Sequence, residues 1–436
     1  MNKYIVSQTF IPADHYDVIV CGGGPAGFCA AVRAAREGMR TALVERFSFL
    51  GGTATAGLVV PISEYYHAGK RIIGGIPWEF ACRLVDLHAA TKELPKGNLS
   101  FDPEYYKLCA QRMVQEAGVE LYTNSYLSRA FHSDDDRVSA VAMETKSGTL
   151  VLEGDYFIDA TGDADLFHLL ELPMQEQTDA IQPVSLCFVL AGVDIHTPLL
   201  KNCIHHDGAG QSASVNTVIR TYLNGLLEKG QAPLFGGPWF NSLVTGEHLA
   251  VNITRCCADA CDSRQITAAE LSLREDMFQL FALLKDGFPE FTHAYIACSA
   301  ITAGIRESRH IQGLYQVTGS DFLSGRSHPD TIAYSAHPMD IHIPDTSDQI
   351  LKRLTHPGAI PYRSMLPVHV PNLIAAGRCI CADRDAYASL RVQAPAMAMG
   401  EAAGAASALC FRQNLPVQQL SASLLRSHLD LPAELP

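Results

Sequence analysis

The chain reads as an α/β protein with a Rossmann-like nucleotide-binding unit. Two stretches predict this: DVIVCGGGPAGFCAAVRAAREGMRTALVER near the start, and a later strand-like segment ending in Ala160, Thr161, Gly162 and Asp163. In the first, Asp17 to Cys21 is a short apolar run of strand type, Pro25 to Glu37 has helical spacing with small residues on one face, and Thr41 to Glu45 is a second strand. Gly22, Gly24 and Gly27 form G-x-G-x-x-G. The first glycine allows the tight turn, the second lets backbone approach a pyrophosphate, and the third, helped by Ala31, lets helix pack on strand. A diphosphate beside Pro25 and Ala26 would meet the free N–H groups and positive dipole end of the helix. Glu45 lies eighteen residues after Gly27 (45 − 27), where a carboxylate accepts hydrogen bonds from a ribose 2′-OH and disfavours a 2′-phosphate.

Three further segments extend the pattern. In RFSFLGGTATAGL, from Arg46, the Gly51-Gly52 pair and the small hydroxyl residues Thr53 and Thr55 let backbone approach a bulky ligand. RVSAVAMETKSGTLVLEGDYFIDATGDADL predicts hairpin strands Val138 to Thr145 and Thr149 to Leu152, then a separate strand running into the Ala160–Asp163 turn. NLIAAGRCICADRDAYASLRVQAPAMAMGEAAGAASAL predicts a strand, a turn at Gly377, a loop, and a small-residue helix from about Pro395. Between these lies an α+β stretch, with amphipathic helices over Ser212 to Lys229 and Thr267 to Lys285 and strands over His248 to Thr254 and Tyr295 to Thr302. In AGIRESRHIQGLYQV, the alternation Arg309, Ile311, Gly313, Tyr315, Val317 predicts a strand with Arg309 turned inward and Arg306 and Glu307 in the bend before it.

Taken together, GGGPAG, Glu45, GGTAT, ATGD, GIRESR and the AGR...SLRV...MGEAAG terminus resemble the FAD-dependent oxidoreductases of the glutathione-reductase-like fold, within them the generic group related to fumarate reductase flavoproteins. The resemblance covers nearly the whole chain. It implies FAD held by the glycine turn at its diphosphate, by Glu45 at its adenosine ribose, and by Gly377, Arg378 and the segment Gln393 to Met399, with Ala396 and Met397, at the ribityl chain and flavin. It also implies a discontinuous FAD-binding domain of residues 14–175 and 350–430, with 176–349 inserted as an α+β substrate or cap domain. Many relatives carry an aspartate after the glycine matching Gly377; here the residue is Arg378. In the related fumarate reductases a histidine near the double glycine bonds FAD covalently, but here the nearest downstream is His67, fifteen residues past Gly52 (67 − 52), so non-covalent FAD is expected.

Composition removes several function classes. A formal net charge of −13 and the lack of any basic run argue against nucleic acid, including a tRNA-modifying role. The start lacks the pattern of a signal peptide and no apolar run reaches the ~18 residues of a membrane span, so a cytoplasmic protein without membrane partners is expected. Thirteen cysteines in no disulfide pattern read as reduced thiols. Cys256, Cys257 and Cys261, and Cys379 and Cys381, lack the C-x-x-C spacing of metal sites, and no metal is expected. GGTATAG has no cysteine where dithiol flavoenzymes carry their redox pair, and no second G-x-G-x-x-G follows a strand in mid-chain, which argues against a built-in NAD(P)H domain.

What survives is hydride transfer between FAD and a small organic molecule, with an external electron donor or acceptor. A monooxygenase or double-bond reductase fed by NAD(P)H is the alternative enzyme reading, and a flavin-fold protein that only binds is the alternative outside catalysis. A homo-oligomer is left open. Candidate catalytic groups are Arg306, Arg309, Arg391, His337 and Tyr387, with Asp340 and His342 in the same SAHPMDIHIP stretch as His337. Each has a structural alternative: solvent-exposed or satisfied histidines, an arginine neutralising phosphate, and an Arg306–Glu307 ion pair fixing the domain joint. The arginines would accept an anionic or hydroxyl-rich substrate.

Overall fold

The computed structural model describes residues 9–90, 99–176, 181–200, 215–244 and 248–433. At its centre the strand Asp14–Cys21, whose Val18 to Cys21 are fully buried, pairs in parallel with Thr41–Val44 on one side and Gly148–Asp159 on the other. Burial on both faces is why this run is continuously apolar rather than alternating. Glu120–Tyr122 extends the sheet beyond Thr41–Val44. The first half of Gly148–Asp159 pairs antiparallel with Val138–Thr145, which pairs with Tyr126–His132; its last residues pair in parallel with Leu373–Ala375.

The expected hairpin strand and the strand leading into Ala160 are thus one twelve-residue strand. Glu153 and Gly154, which read as a break, stay in the ladder because they pair with His15 and Tyr16. Register then does the assembly. Cys21 lies opposite both Val44 and Asp159, and Asp159 opposite Ala375, so four strands end level. The residues that follow are stitched together by Gly22 N–H to Val44 O (2.7 Å), Ala160 N–H to Cys21 O (2.8 Å) and Ala376 N–H to Asp159 O (2.8 Å). Four distant motifs meet at the carboxyl ends of the strands, where open α/β sheets bind ligands.

The helix Pro25–Arg36 begins at the glycine turn, and a Cβ on Gly27 would sit 1.7 Å from the Gly22 carbonyl oxygen. The helix Gln393–Gln413 is buried along nearly its whole length against Pro25–Arg36; a Cβ on Gly400 would lie 1.9 Å from Ala26 O. Alanine and glycine predominate there because only small residues admit so close an approach. A short helix, Arg384–Leu390, precedes it.

A second core forms around an antiparallel sheet ordered Phe235–Ser242, His248–Thr254, Phe188–Ala191, Tyr295–Ser299. Helix Ser263–Gly287 covers it with Ala269, Leu273, Met277, Leu280 and Leu284, a spacing of three to four residues. Helix Thr217–Leu227 starts where Asn216 caps Ile219 N–H; residues 212–214 of the expected helix lie outside the described ones. The strand expected over residues 309–317 does not form. Ile311, Gly313 and Val317 bridge three different segments, at Met174, Pro367 and Ala382, so backbone partners change before any ladder propagates. Among the described residues no helix is long and apolar enough to cross a membrane.

Candidate functional site

A cradle opens over the level strand ends. Its floor is Gly22, Gly24, Pro25 and Ala26; one side is Glu45, Arg46, Gly52 and Thr53, and the other is Ala160, Thr161, Gly162, Gly377 and Arg378, with Gln393 and Ala396 at the far end. Gly22 adopts φ +97°, a left-handed turn open to glycine, so the helix aims its first N–H groups into the cradle. Glu45 is almost fully buried and accepts from Gly23 N–H (2.6 Å) and Phe47 N–H (2.8 Å); burial pushes its pKa up. The remaining expected cofactor residues stand behind this surface. Gly27 supports the turn. Gly51 N–H donates to Gly23 O (2.9 Å), tying the double-glycine loop to the first turn, and the Thr55 hydroxyl donates to Leu50 O (2.9 Å) rather than to the cradle. Met397 is buried beside Tyr65, and Asp163 pairs with Arg378 at 2.5 Å.

That pair explains Arg378. Its guanidinium also donates to the Ser308 hydroxyl at 2.6 Å, and although burial opposes its charge, Asp163 raises its pKa. The glycine turn, open helix end and clustered small residues fit a dinucleotide diphosphate, and the buried Gln393 Oε1, which has no partner among the described residues, suits a ring N–H of a flavin.

A second cavity, of about 400 Å3, adjoins the cradle and shares Thr53, Ile305, Arg378, Arg391 and Gln393 with it. The inserted sheet contributes Trp239 and Asn252 to its wall, and the hairpin Met339–His342 with Gln349–Lys352 contributes Asp340 and His342. Arg306 and His337 also line it. The two arginines of GIRESR therefore part company. Arg306 is buried, donates to Pro183 O (2.7 Å) and Ser185 Oγ (2.8 Å), and has no ion pair among the described residues. Burial, then the charges of Arg391 and Arg255, lower its pKa to about 9. Glu307 does not meet it but accepts from Gln182 N–H at 3.0 Å. Arg309 lines neither cavity; it pairs with Asp165, correcting the expectation that it enters the cleft. Tyr387 is likewise displaced from the substrate: fully buried, it donates its hydroxyl to the Arg306 carbonyl and packs edge-on against His310.

His337 Nδ1 lies 2.7 Å from the Pro338 carbonyl oxygen, which only accepts, so Nδ1 holds the proton and Nε2 is the basic nitrogen. Burial lowers its pKa, partly offset by Asp340. A relay backs the hairpin. Arg255, 2% exposed, donates through NH1 to Thr346 O (2.6 Å) and Asp348 O (3.0 Å), and through NH2 to His342 Nδ1 at 2.7 Å. His342 must then donate from Nε2 to Asp340 Oδ2 (3.0 Å); burial and Arg306 push its pKa down to about 3, so it stays neutral. Despite burial, His342 and Arg391 hold Asp340 well below the usual carboxylate range. Arg391 donates to the Asp340 carbonyl at 3.1 Å and approaches Oδ2 at 3.9 Å. His342→Leu is expected to cost about 1–3 kcal/mol in urea unfolding, because it strands an Arg255 N–H in the interior.

Asp340 and His342 belonged to the histidine-rich stretch from which only His337 was put forward as catalytic, while Arg255 and Asn252 gave no signal: an arginine at a strand end looks ordinary until partners about 90 residues away enclose it, and an asparagine until the fold sets it in a cavity wall. Among the described residues no group of three or more His, Cys, Asp or Glu side chains is placed to hold a metal ion.

Short stretches of the chain are similar to curated proteins: 48% identical over 59 residues to the soluble pyridine nucleotide transhydrogenase of Marinomonas sp. (strain MWYL1), covering 14% of this chain and 13% of that one. A further match is 47% identical over 53 residues to the dihydrolipoyl dehydrogenase of Trypanosoma brucei brucei, covering 12% and 11%. The chain thus spans about an eighth of the length of these relatives. Among solved structures, a geranylgeranyl bacteriochlorophyll reductase-like protein (Ta0516) from Thermoplasma acidophilum superposes with TM-score 0.51 at 13% identity, covering 96% of this chain and 91% of that one, a likeness of fold. Residues 17–429 match the family described as FAD dependent oxidoreductase, and the chain belongs to that family.

Proposed function

We propose that this FAD-dependent oxidoreductase transfers a hydride between non-covalently held FAD and a small polar molecule seated in the cavity beside the cradle. The observation that carries the reading is the shared wall: Thr53, Ile305, Arg378, Arg391 and Gln393 face both spaces, so a molecule in one would lie directly against a cofactor held in the other. FAD supplies the two-electron acceptor or donor. His337 Nε2 takes the proton that leaves, or returns it in the reverse direction. Arg306 and Arg391 orient the substrate, and Asp340, held ionised and aimed by His342, accepts from it. His67 bonds Thr355 O at 3.2 Å and lines neither cavity, which supports non-covalent attachment. Packing also supports treating the inserted part as ending near Ile305, because Ile311 to Ile360 contribute to the larger core.

Anaerobic titration of the purified holoprotein with alcohols, hydroxy acids, amines and unsaturated acids tests the reading: at least one class should bleach the flavin or reoxidise it. Protein without flavin absorbance that also ignores added FAD would sink it, as would a flavin inert to every donor and acceptor. Rapid NAD(P)H oxidation with oxygen uptake, and no bleaching by organic donors, would replace it with a monooxygenase. Because the His337 pKa lies below the ordinary imidazole value, its basic form persists under neutral and mildly acidic conditions. In the oxidative direction the acid limb of kcat/KM should therefore lie on the acid side of an ordinary imidazole titration. His337→Gln should remove that acid limb and lower kcat by ~10²-fold or more.

A further inference from the structure

Four buried polar atoms on residues lining the cavity have no partner among the described residues: Asn252 Oδ1, Asp340 Oδ1, Gln393 Oε1 and Arg391 Nε. Three accept and one donates. Gln393 stands at the boundary with the cradle, which leaves Asn252 and Asp340 as acceptors within the cavity proper. Buried acceptors left empty are unfavourable, so this wall is built for a ligand carrying several O–H or N–H groups.

The charges there do not cancel either. Arg378 is neutralised by Asp163, but Arg306, Arg353 and Arg391 stand against only Glu64 and Asp340. Burial raises Glu64 to about 7, so at neutral pH it opposes them only in part. Arg255 adds a further positive charge behind the hairpin, bonded to two carbonyls and a neutral imidazole. A positive cavity in a chain of net charge −13 needs a reason, and an anionic ligand supplies one.

Resting on the hydride-transfer reading above, we propose that the substrate is an aliphatic hydroxycarboxylate, its carboxylate taken by Arg306 and Arg391 and its hydroxyls donating to Asn252 and Asp340. Planar guanidinium forks match a carboxylate, and a single negative charge is tolerated beside Asp340 better than a phosphate dianion. At the reacting carbon the C–H bond breaks with its electron pair passing to FAD, the hydroxyl proton passes to His337 Nε2, and the C–O bond becomes a carbonyl. The product is a keto acid, and dioxygen or a quinone is the two-electron acceptor that completes the turnover.

The test is anaerobic titration of the holoprotein with sodium gluconate and sodium lactate against their neutral counterparts glucitol and propylene glycol, with the visible flavin spectrum reporting both binding and reduction. A hydroxy acid should act at concentrations at least ~100-fold below its neutral partner, and added salt should narrow the gap. Arg391→Gln should abolish the preference, so that gluconate and glucitol act at similar concentrations; Arg306→Gln should do the same. If either fails to fold, the other carries the comparison. Neutral polyols bleaching as readily as the acids would overturn the hydroxycarboxylate assignment and leave hydride transfer standing. Silence from all four probes would also overturn the assignment, and the wider donor panel then decides hydride transfer separately.

Discussion

Arg306→Lys is expected to lower kcat/KM by ~100-fold or more for any donor that bleaches the flavin, while flavin content and Tm stay within a few degrees of wild type. The side chain is fully charged at neutral pH only because arginine starts so high: burial, Arg391 and Arg255 have already brought it to about 9. A lysine begins near 10.4 and titrates readily when desolvated, so in the same place it loses its proton. It also cannot hold Pro183 O and Ser185 Oγ and still offer a flat fork to a ligand. The fold should tolerate the change because Arg306 completes no ion pair among the described residues; its carbonyl, not its side chain, anchors Tyr387. Steady-state kinetics beside a thermal melt decides the matter. A collapsed Tm with loss of flavin would make Arg306 structural, and unchanged kinetics would remove it from the site.

Gly27→Val should yield protein without FAD. The first atom of any side chain there would lie 1.7 Å from the Gly22 carbonyl oxygen, far inside contact distance, and the two nearest atoms are backbone rather than the movable end of a side chain. The turn must open, withdrawing the helix end from the cradle and disturbing the bond from Gly22 N–H to Val44 O. The flavin-to-protein absorbance ratio should fall by tenfold or more, with no recovery on incubation with excess FAD. Tm should drop at least as far as that of wild type stripped of cofactor, since bound ligand at 100-fold over its Kd contributes about 2.7 kcal/mol that the variant cannot regain. Normal flavin loading would refute the placement of the diphosphate.

Much of the cofactor half was legible before any coordinates. Gly22, Gly24 and Gly27 announce themselves because a glycine turn at a strand-to-helix junction is a local demand of backbone geometry, readable from a dozen residues. Asp163 and Arg378 show where this stops: both lie in recognisable stretches, yet their union at 2.5 Å, with Arg378 on the cradle wall and Asp163 behind it, depends on Asp159 and Ala375 lying in register.

GIRESR shows the limit most clearly. Alternation predicts a strand with Arg309 inward; residues 311–317 instead bridge three separate segments, and although Arg309 does turn inward to a carboxylate, the arginine that reaches the cavity is Arg306. Arg309 finds Asp165, 144 residues away, and Glu307 finds the backbone of Gln182. The neutral state of His342 likewise follows from burial and from Arg306, and, despite burial, the charge on Asp340 from His342 and Arg391, with both arginines supplied by other segments of the chain. Turns, caps and helix contacts obey short-range sterics that a linear string carries, so the cofactor framework was written in it openly. The charge and orientation of substrate-facing groups depend on desolvation and on partners from other segments, and these come into being when the chain closes on itself.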